Sequence, residues 1–177
     1  MVMHKAEELI IHTSDSPFGC ATMIKGWHTA PKPEGRGWRD IGYNFVITNG
    51  YWNYRMYEQG KQWPFADGTI EAGRPFDTDP VMMDDEIGAH CYGWNGKTLG
   101  ACLIGKNGNY TVHQLLSLRD IIVNYLYPEM GWQSENILGH YELDKKKTCP
   151  DMDMELSRAF LGEPELISQL VLDIGKK

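Results

Sequence analysis

Five short apolar runs constrain the fold of this chain more than any other feature of its sequence. They are ELIIH (8–12), IGYNFVIT (41–48), TIEAGRP (69–75), TLGACLIG (98–105) and NILG (136–139). Short apolar runs bounded by glycine or polar residues are typical of buried strands, whereas a buried helix would need a longer segment. The sequence therefore predicts a sheet assembled from segments spread over most of the chain.

Segments with helical character alternate with these runs. They are residues 16–28, 111–127, 151–161 and 164–174. Ser16 and Pro17 suit the N-cap and first position of a helix, and Thr111 followed by Gln114 forms a capping-box pattern. This interleaving predicts the α/β class, with a central mixed β-sheet flanked by helices.

Composition limits the classes of function that need to be considered. A chain of 177 residues with 42% hydrophobic residues suits one folded domain over 1–177. The net charge of -7 argues against a nucleic-acid partner held by a basic face. No apolar run approaches the roughly 18 residues of a membrane span, and the N-terminus lacks the pattern of a secretory signal peptide. We expect a monomer that is cytoplasmic at synthesis, without membrane insertion.

An aromatic stretch rich in glycine, NGYWNYRMYEQGKQWPFADG (49–68), lacks a clean helical or strand period. It either packs its own side chains together or presents aromatic rings to a ligand, and the sequence leaves both readings open. Residues 50–66 within it are here called the insertion segment, because the family resemblance given below implies that they are an insertion.

Two histidines directly follow or end apolar runs, His12 after ELII and His140 after NILG, and Cys149 lies nine residues beyond the second. Strand ends hold side chains rigidly at the edge of a cleft. Two imidazoles and a thiolate make a three-ligand zinc set with a fourth position left open. The alternative is that each histidine is a hydrogen-bonded structural residue at a strand end and that Cys149, which precedes a proline, fills the core.

Five segments, taken in order, resemble the zinc-dependent N-acetylmuramoyl-L-alanine amidases of the phage-lysozyme type, whose fold is shared by peptidoglycan recognition proteins. The segments are IIHTSDSP, GWRDIGYNFVIT, DGTIEAGRP, GAHCYGWNGKTLGACLIG and GHYELDKKKTCPD. Each phrase alone is common, but their order along most of the chain is specific. The resemblance implies a zinc site in a groove at the strand ends.

The resemblance also implies roles for individual residues. His12, His140 and Cys149 match the family's Zn²⁺ ligands. His90, in GAHCYGWN, matches a histidine that lines the substrate groove, and Asn95 lies in the turn beyond it. Both are expected to bind substrate.

Two further matches concern catalysis. Tyr43, in GYNF, matches the family's catalytic tyrosine, and Lys147, two positions before the cysteine, matches its catalytic lysine. The loop between His140 and Cys149 is one residue longer than in the phage form, so Lys146 or Lys145 could take the place of Lys147.

The implied function is hydrolysis of the amide bond between N-acetylmuramic acid and L-alanine of peptidoglycan. The enzyme would serve as a phage endolysin or a bacterial cell-wall lytic enzyme and reach the wall after release or export by another system. The alternatives are a non-catalytic peptidoglycan-binding module and a regulator on the same fold.

Overall fold

The computed structural model describes residues 4–77 and 79–174. Its strands are β1 (His4–Lys5), β2 (Glu8–Thr13), β3 (Phe45–Asn49), β4 (Asp67–Ala72), β5 (Val81–Met82), β6 (Thr98–Leu103) and β7 (Ile137–Gly139). Its α-helices are α1 (Ala21–Thr29), α2 (Tyr54–Glu58), α3 (Val112–Ile121), α4 (Tyr127–Met130), α5 (His140–Leu143), α6 (Met154–Gly162) and α7 (Ile167–Ile174). A π-helical turn, Ile122–Leu126, joins α3 to α4.

Five strands form the central sheet in the order β4-β3-β6-β2-β7. The pairs β3–β6, β6–β2 and β2–β7 are parallel, and only the edge pair β4–β3 is antiparallel. The predicted mixed sheet is therefore confirmed. Because β2 and β7 run in the same direction, the residues that end them meet at one edge of the sheet.

Helices cover both faces of this sheet, and alternate residues of each strand enter different cores. On β2, Leu9 and Ile11 face the larger core, which includes apolar side chains of α3, α6 and α7. On the opposite face a smaller core joins Ile24 of α1 to Val46 and Cys102. By this alternation His12 lies on the same face as α1.

Helix α1 begins at Ala21, so the expectation that it starts at Ser16 and Pro17 is wrong. Ser16 instead hydrogen-bonds the carbonyl of Phe18 within a turn. The first helical N–H belongs to Ala21 and donates to the Glu71 carboxylate of β4 at 2.6 Å. A carboxylate from a distant strand thus caps the helix, so the residues next to the helix start do not reveal where it begins.

Other boundaries differ by a few residues from those predicted. The strand predicted over 41–48 is β3, which begins at Phe45. Helix α6 begins at Met154, where the Asp153 side chain accepts from two backbone N–H groups. The capping box of Thr111 and Gln114 is confirmed. The insertion segment contains α2, which the sequence did not predict. No helix in the described ranges is long and apolar enough to cross a membrane.

Candidate metal centre and active-site groove

The register of β2 against β7 brings the two strand-end histidines together. Ile11 pairs with Gly139, so the next residues, His12 and His140, lie side by side. Their ring centroids are 4.6 Å apart. Two residues distant in sequence are thus fixed by the hydrogen-bond ladder of parallel strands.

The loop after β7 returns Cys149 to the same place. The N–H of Tyr141 donates to the carbonyl of Cys149 at 2.9 Å, which closes the loop onto the start of α5. The thiol then receives the N–H of Thr13 at 3.1 Å and lies 3.8 Å from Nδ1 of His12. One ligand atom from each of His12, His140 and Cys149 falls within 4.8 Å of the others, which fits a site for one metal ion.

His90 fixes the orientation of the His12 ring. Its Nε2 faces the carbonyl of Thr98 at 3.2 Å, and its Nδ1 lies 3.0 Å from Nε2 of His12. A carbonyl can only accept, so in a neutral His90 the proton is on Nε2 and Nδ1 accepts from His12. The Nδ1 atom of His12 is left with a free lone pair, and this is the atom that faces Cys149.

Asn95 and two glycines hold His90 in place. The Asn95 side-chain oxygen accepts from the backbone N–H groups of His90 and Cys91, at 2.9 and 2.8 Å. A Cβ added at Gly88 or Gly100 would come within 2.8 Å of the His90 ring, so both glycines leave room for it. The resemblance implied substrate contacts for both residues. His90 lies behind His12 and lines the groove wall, and Asn95 lies behind His90.

A partly buried ion pair ties the backbone before His140 to the last part of the chain. The Glu142 carboxylate accepts the N–H of Gly139 at 2.7 Å and pairs with both terminal nitrogens of Arg158, at 3.1 and 3.2 Å. Arg158 also donates to the carbonyl of Ile137 in β7. This three-way contact locks the backbone that precedes His140 onto α6.

Burial leaves the side chains of the three candidate ligands uncharged at neutral pH. Burial lowers the pKa of His12 well below its usual value, and His90, His140 and Lys147 add to this effect. Burial and Lys147 also lower the pKa of His140. Both rings are therefore neutral near pH 7, with lone pairs to offer. Burial raises the pKa of the Cys149 thiol to about 12, so the thiolate needs a positive partner.

Tyr43 lies just before β3 and faces the metal centre, with its ring centroid 5.1 Å from that of His12. Burial raises the pKa of its phenol well above the usual value, with the neighbouring Cys102 and Cys149 contributing. The phenol is therefore protonated at neutral pH and can act as a hydrogen-bond donor.

The three candidate ligands and Tyr43 open into one groove. The other lining residues include Trp27, His28, Arg36 and Trp38 on one wall, and Ser14, Asp15, Asn107 and Asp151 among the loops. His28 accepts the N–H of Gly42 at 3.0 Å and lies beside Tyr43, and Arg36 stacks over Trp38. These aromatic and polar walls are typical of a site for a small polar ligand.

The three lysines of the loop have different surroundings. Lys146 and Lys147 line the groove, whereas Lys145 lines a neighbouring cavity beside α6. The charge of Lys147 acts on His12, His140 and Cys149. The turn that presents these lysines is held by the backbone N–H of Lys147 on the carbonyl of Asp144.

Backbone conformations of high energy gather at the groove. Asp15, Asn107 and Asp151 are the only described non-glycine residues with positive φ, at 53°, 53° and 59°, and all three line it. Asp and Asn tolerate the left-handed region better than other side chains, but at some cost. Such concentrations are typical of functional sites, where the surrounding structure holds the strain.

Several supporting residues lie outside the sequence-based predictions: Thr13, Thr98, Glu142 and Arg158. A carboxylate three positions after Gly139 is a recognisable helix-start pattern and could have indicated the role of Glu142. Arg158 reaches the site from a different helix, so no local pattern could have revealed it.

Comparison with known proteins agrees with this geometry. Residues 3–152 match the family model described as N-acetylmuramoyl-L-alanine amidase. The endolysin of Klebsiella phage KP32 is 27% identical over 164 residues, which cover 85% of this chain and 84% of that protein. The endolysin of Escherichia phage T7 is 28% identical over 139 residues, covering 75% and 70%.

Solved structures share the fold. The endolysin amidase LysCS from Clostridium intestinale superposes with a TM-score of 0.65 at 21% identity, covering 92% of this chain and 89% of that one. Wild-type PGRP-LB of Drosophila superposes with a TM-score of 0.57 at 25% identity, covering 90% and 79%. Because the family model matches residues 3–152, which are most of this chain, the chain belongs to the N-acetylmuramoyl-L-alanine amidase family.

Proposed function

We propose that this amidase is a zinc enzyme that cuts the bond between N-acetylmuramic acid and L-alanine in peptidoglycan and acts on the cell wall as an endolysin. The observation that carries the proposal is the convergence of His12, His140 and Cys149 in one groove. The curated relatives that cover at least 75% of this chain are endolysins, which supports the lytic role.

The donor set fits zinc. Tetrahedral zinc bonds of about 2.0 Å to nitrogen and 2.3 Å to sulfur place such atoms about 3.6 Å apart. The separation between Nδ1 of His12 and Sγ of Cys149 is 3.8 Å. When bound, the ion supplies Lewis acidity and lowers the pKa of a coordinated water to about 7. His12, His140 and Cys149 would hold it.

Tyr43 serves as a proton donor or as a group that orients water. Its phenol is kept neutral by burial and faces the same space as His12, so it can donate a hydrogen bond to the substrate or pass a proton towards the leaving amine. The phenol is a poor base at neutral pH, so activation of the nucleophile does not fall to Tyr43.

Lys147 places a positive charge at the groove, beside the candidate ligands. A cation there stabilises the negative charge that develops on the carbonyl oxygen during attack. It also attracts the acidic stem peptide, and Lys146 adds to that attraction. For His90 we infer a positioning role through the His12 ring, and for Asn95 a role in holding His90, in place of direct substrate binding.

A second candidate function is a binding module or regulator that keeps the groove without cutting. Retention of all three candidate ligands favours the enzyme. Further parts of the proposal are a single domain with an insertion at 50–66, a monomer, no nucleic-acid or membrane-inserted partner, and synthesis in the cytoplasm before release to the wall.

Digestion of purified peptidoglycan tests the proposal directly. Zinc-loaded protein should release stem peptides that begin with a free L-alanine amine, detected by mass spectrometry, and chelation should abolish this release. New reducing sugar ends would instead indicate a glycosidase and overturn the assignment. Binding to peptidoglycan with no cleavage in either state would favour the non-catalytic module.

A further inference from the structure

A second cleft adjoins the active-site groove, and the insertion segment builds one side of it. Its lining includes Tyr51, Tyr57 and Gln62 from that segment, with Asn107 and Asn109 from the loop after β6. We call it the insertion cleft. Asn107 lines both the cleft and the groove, so the two are adjacent.

The cleft combines aromatic faces with free amides. The rings of Tyr51 and Tyr57 meet edge to face at 5.6 Å, and Tyr57 remains 43% exposed. The side chains of Asn107 and Asn109 are exposed and make no hydrogen bond to any described residue. Such amides offer two donors and an acceptor each to a bound ligand.

The cleft is also close to electrically neutral. Its lysine, Lys106, lies 3.7 Å from the carboxylate of Asp15. Asp15 itself lines the groove, which also carries Arg36, Lys146 and Lys147 against one further carboxylate, Asp151, so the groove keeps an excess of positive charge after the Asp15–Lys106 pair is counted. An acidic ligand is therefore drawn to the groove, and a neutral ligand rich in hydroxyl and acetamido groups suits the cleft.

Both walls of the cleft are anchored by backbone contacts. Gln62 donates to the carbonyl of Asn49, and Asn49 donates to that of Pro17, each at 2.9 Å. On the opposite side, Gly108 has φ +71° and a Cβ there would approach the carbonyl of Asp151 to 2.4 Å. The amides therefore project from a loop packed directly against the metal-site loop.

We propose that the insertion cleft binds the glycan strand of peptidoglycan, next to the muramoyl unit whose amide is cut. This inference rests on the proposed function. The scissile amide joins a glycan strand to an acidic peptide. The charge difference between cleft and groove assigns the glycan to the cleft and the peptide to the groove. Tyr57 packs on a sugar face, and Asn107 and Asn109 hydrogen-bond its hydroxyl or acetamido groups.

Two substrates with the same stem peptide separate this role from others: an N-acetylmuramoyl peptide with one sugar, and a tetrasaccharide carrying that peptide. We expect Tyr57→Ala and Asn109→Ala, on opposite walls, each to lower kcat/KM for the tetrasaccharide about tenfold, the loss of one good contact. Activity on the one-sugar substrate should stay within about twofold of wild type. Tyr54→Ala is the matched control, because Tyr54 lies on the same helix but outside the cleft.

A binding experiment keeps the inference independent of catalysis. Zinc-loaded full-length protein should bind a peptide-free tetrasaccharide of alternating N-acetylglucosamine and N-acetylmuramic acid, and both variants should bind it about tenfold more weakly. Equal losses on both substrates, or unchanged binding in the variants, would overturn the inference. Failure of wild type to cut either substrate would overturn the proposed function, while the binding result would still decide the cleft.

Discussion

The candidate metal centre lies in the groove and the insertion segment borders the adjoining cleft, and the two regions are held by different means. His12 is only 2% exposed, and each candidate ligand is fixed by strand register, a backbone contact or a neighbouring side chain. In the insertion segment, Trp52 and Trp63 are 40% and 48% exposed, and their rings pack against each other with centroids 5.0 Å apart.

The difference teaches where precision is needed. Ligand atoms must be positioned within a fraction of an ångström, so the ligand side chains are surrounded by groups that hold them in one conformation. A surface for a long polymer tolerates small shifts, and exposed aromatic rings are sufficient there. Changes in the first region should therefore affect the metal, and changes in the second should affect only substrate choice.

The largest expected effect comes from removing the thiol. We expect Cys149→Ser to lose bound zinc and to reduce release of stem peptides more than about a hundredfold, because a hydroxyl is a far weaker zinc ligand than a thiolate. Zinc content and peptide release are the measurements. Cys20→Ser is the control, since Cys20 is a free cysteine at the N-cap of α1, away from the ligands. Full zinc content in Cys149→Ser would refute the ligand set.

Protonation of His28, in the groove wall, should lower the free energy of unfolding. Burial, with help from Arg36, lowers the pKa of His28 to about 4, and the ring accepts the N–H of Gly42. Since the unfolded ring has a pKa near 6.5, the folded state favours the neutral form. This contribution is complete above about pH 6.5 and is lost as the pH falls towards about 4, by at most about 3 kcal/mol.

The measurement for His28 is the free energy of unfolding between pH 4 and pH 7.5, compared between wild type and His28→Asn. The asparagine oxygen can accept from Gly42 but does not titrate, so its profile should be flatter by the lost amount. Parallel profiles would show that His28 has no such role.

Breaking the support of the His12 ring should weaken the metal site without removing a ligand. We expect His90→Phe to lower zinc affinity about 10- to 100-fold, because the Nε2 proton of His12 loses its acceptor. Competition with a chromogenic chelator measures this. His90→Asn, whose oxygen can still accept, should lose less. Equal affinity in His90→Phe and wild type would mean that the contact at 3.0 Å does not orient the ring.

Two ion pairs of different exposure allow a test of whether burial increases the coupling energy between opposite charges; the less exposed pair is Glu142 and Arg158. A double-mutant cycle with Glu142→Gln and Arg158→Met should give a coupling of about 1–2 kcal/mol in urea unfolding. The matched pair is Lys25 and Asp40, whose side chains are 57% and 29% exposed, against 21% and 24% for Arg158 and Glu142. That pair should couple by about 0.5 kcal/mol or less. Equal couplings would break the comparison.

The smallest effect is expected in the insertion segment. Trp63→Ala should change the free energy of unfolding by about 1 kcal/mol or less, because the ring is half exposed and packs against Trp52. Zinc affinity should be unchanged. A loss of zinc would mean that the segment supports the metal centre, against the distinction drawn above.

Much of the sheet and of the candidate site could be predicted from the sequence. The runs predict all five central strands, with errors of up to four residues at their ends. Burial on both faces leaves a continuous apolar signature in the inner strands β3, β6 and β2. His12, His140 and Cys149 stand at strand ends or in a short loop, where position alone suggests a shared edge. Their family resemblance then supplies the roles.

What the sequence could not provide depends on contacts between distant segments. The start of α1 is set by Glu71, which lies on β4, and the tautomer of His12 is set through His90 by the carbonyl of Thr98. The helix α2 has little buried surface and a short length, so it leaves no clear apolar period. A helix cap or a hydrogen-bond acceptor supplied by a distant segment leaves no pattern in the neighbouring sequence.

The register of β2 against β7 has a consequence for biosynthesis. Cys149 is 137 positions away from His12, and the two meet only after the parallel strands have paired. On the proposed function, the nascent polypeptide would therefore have no high-affinity place for zinc until most of it has left the ribosome. Uptake of the ion would be a late step that adds its binding free energy to the finished architecture, so a shortage of zinc should lower the yield of native molecules as well as their activity.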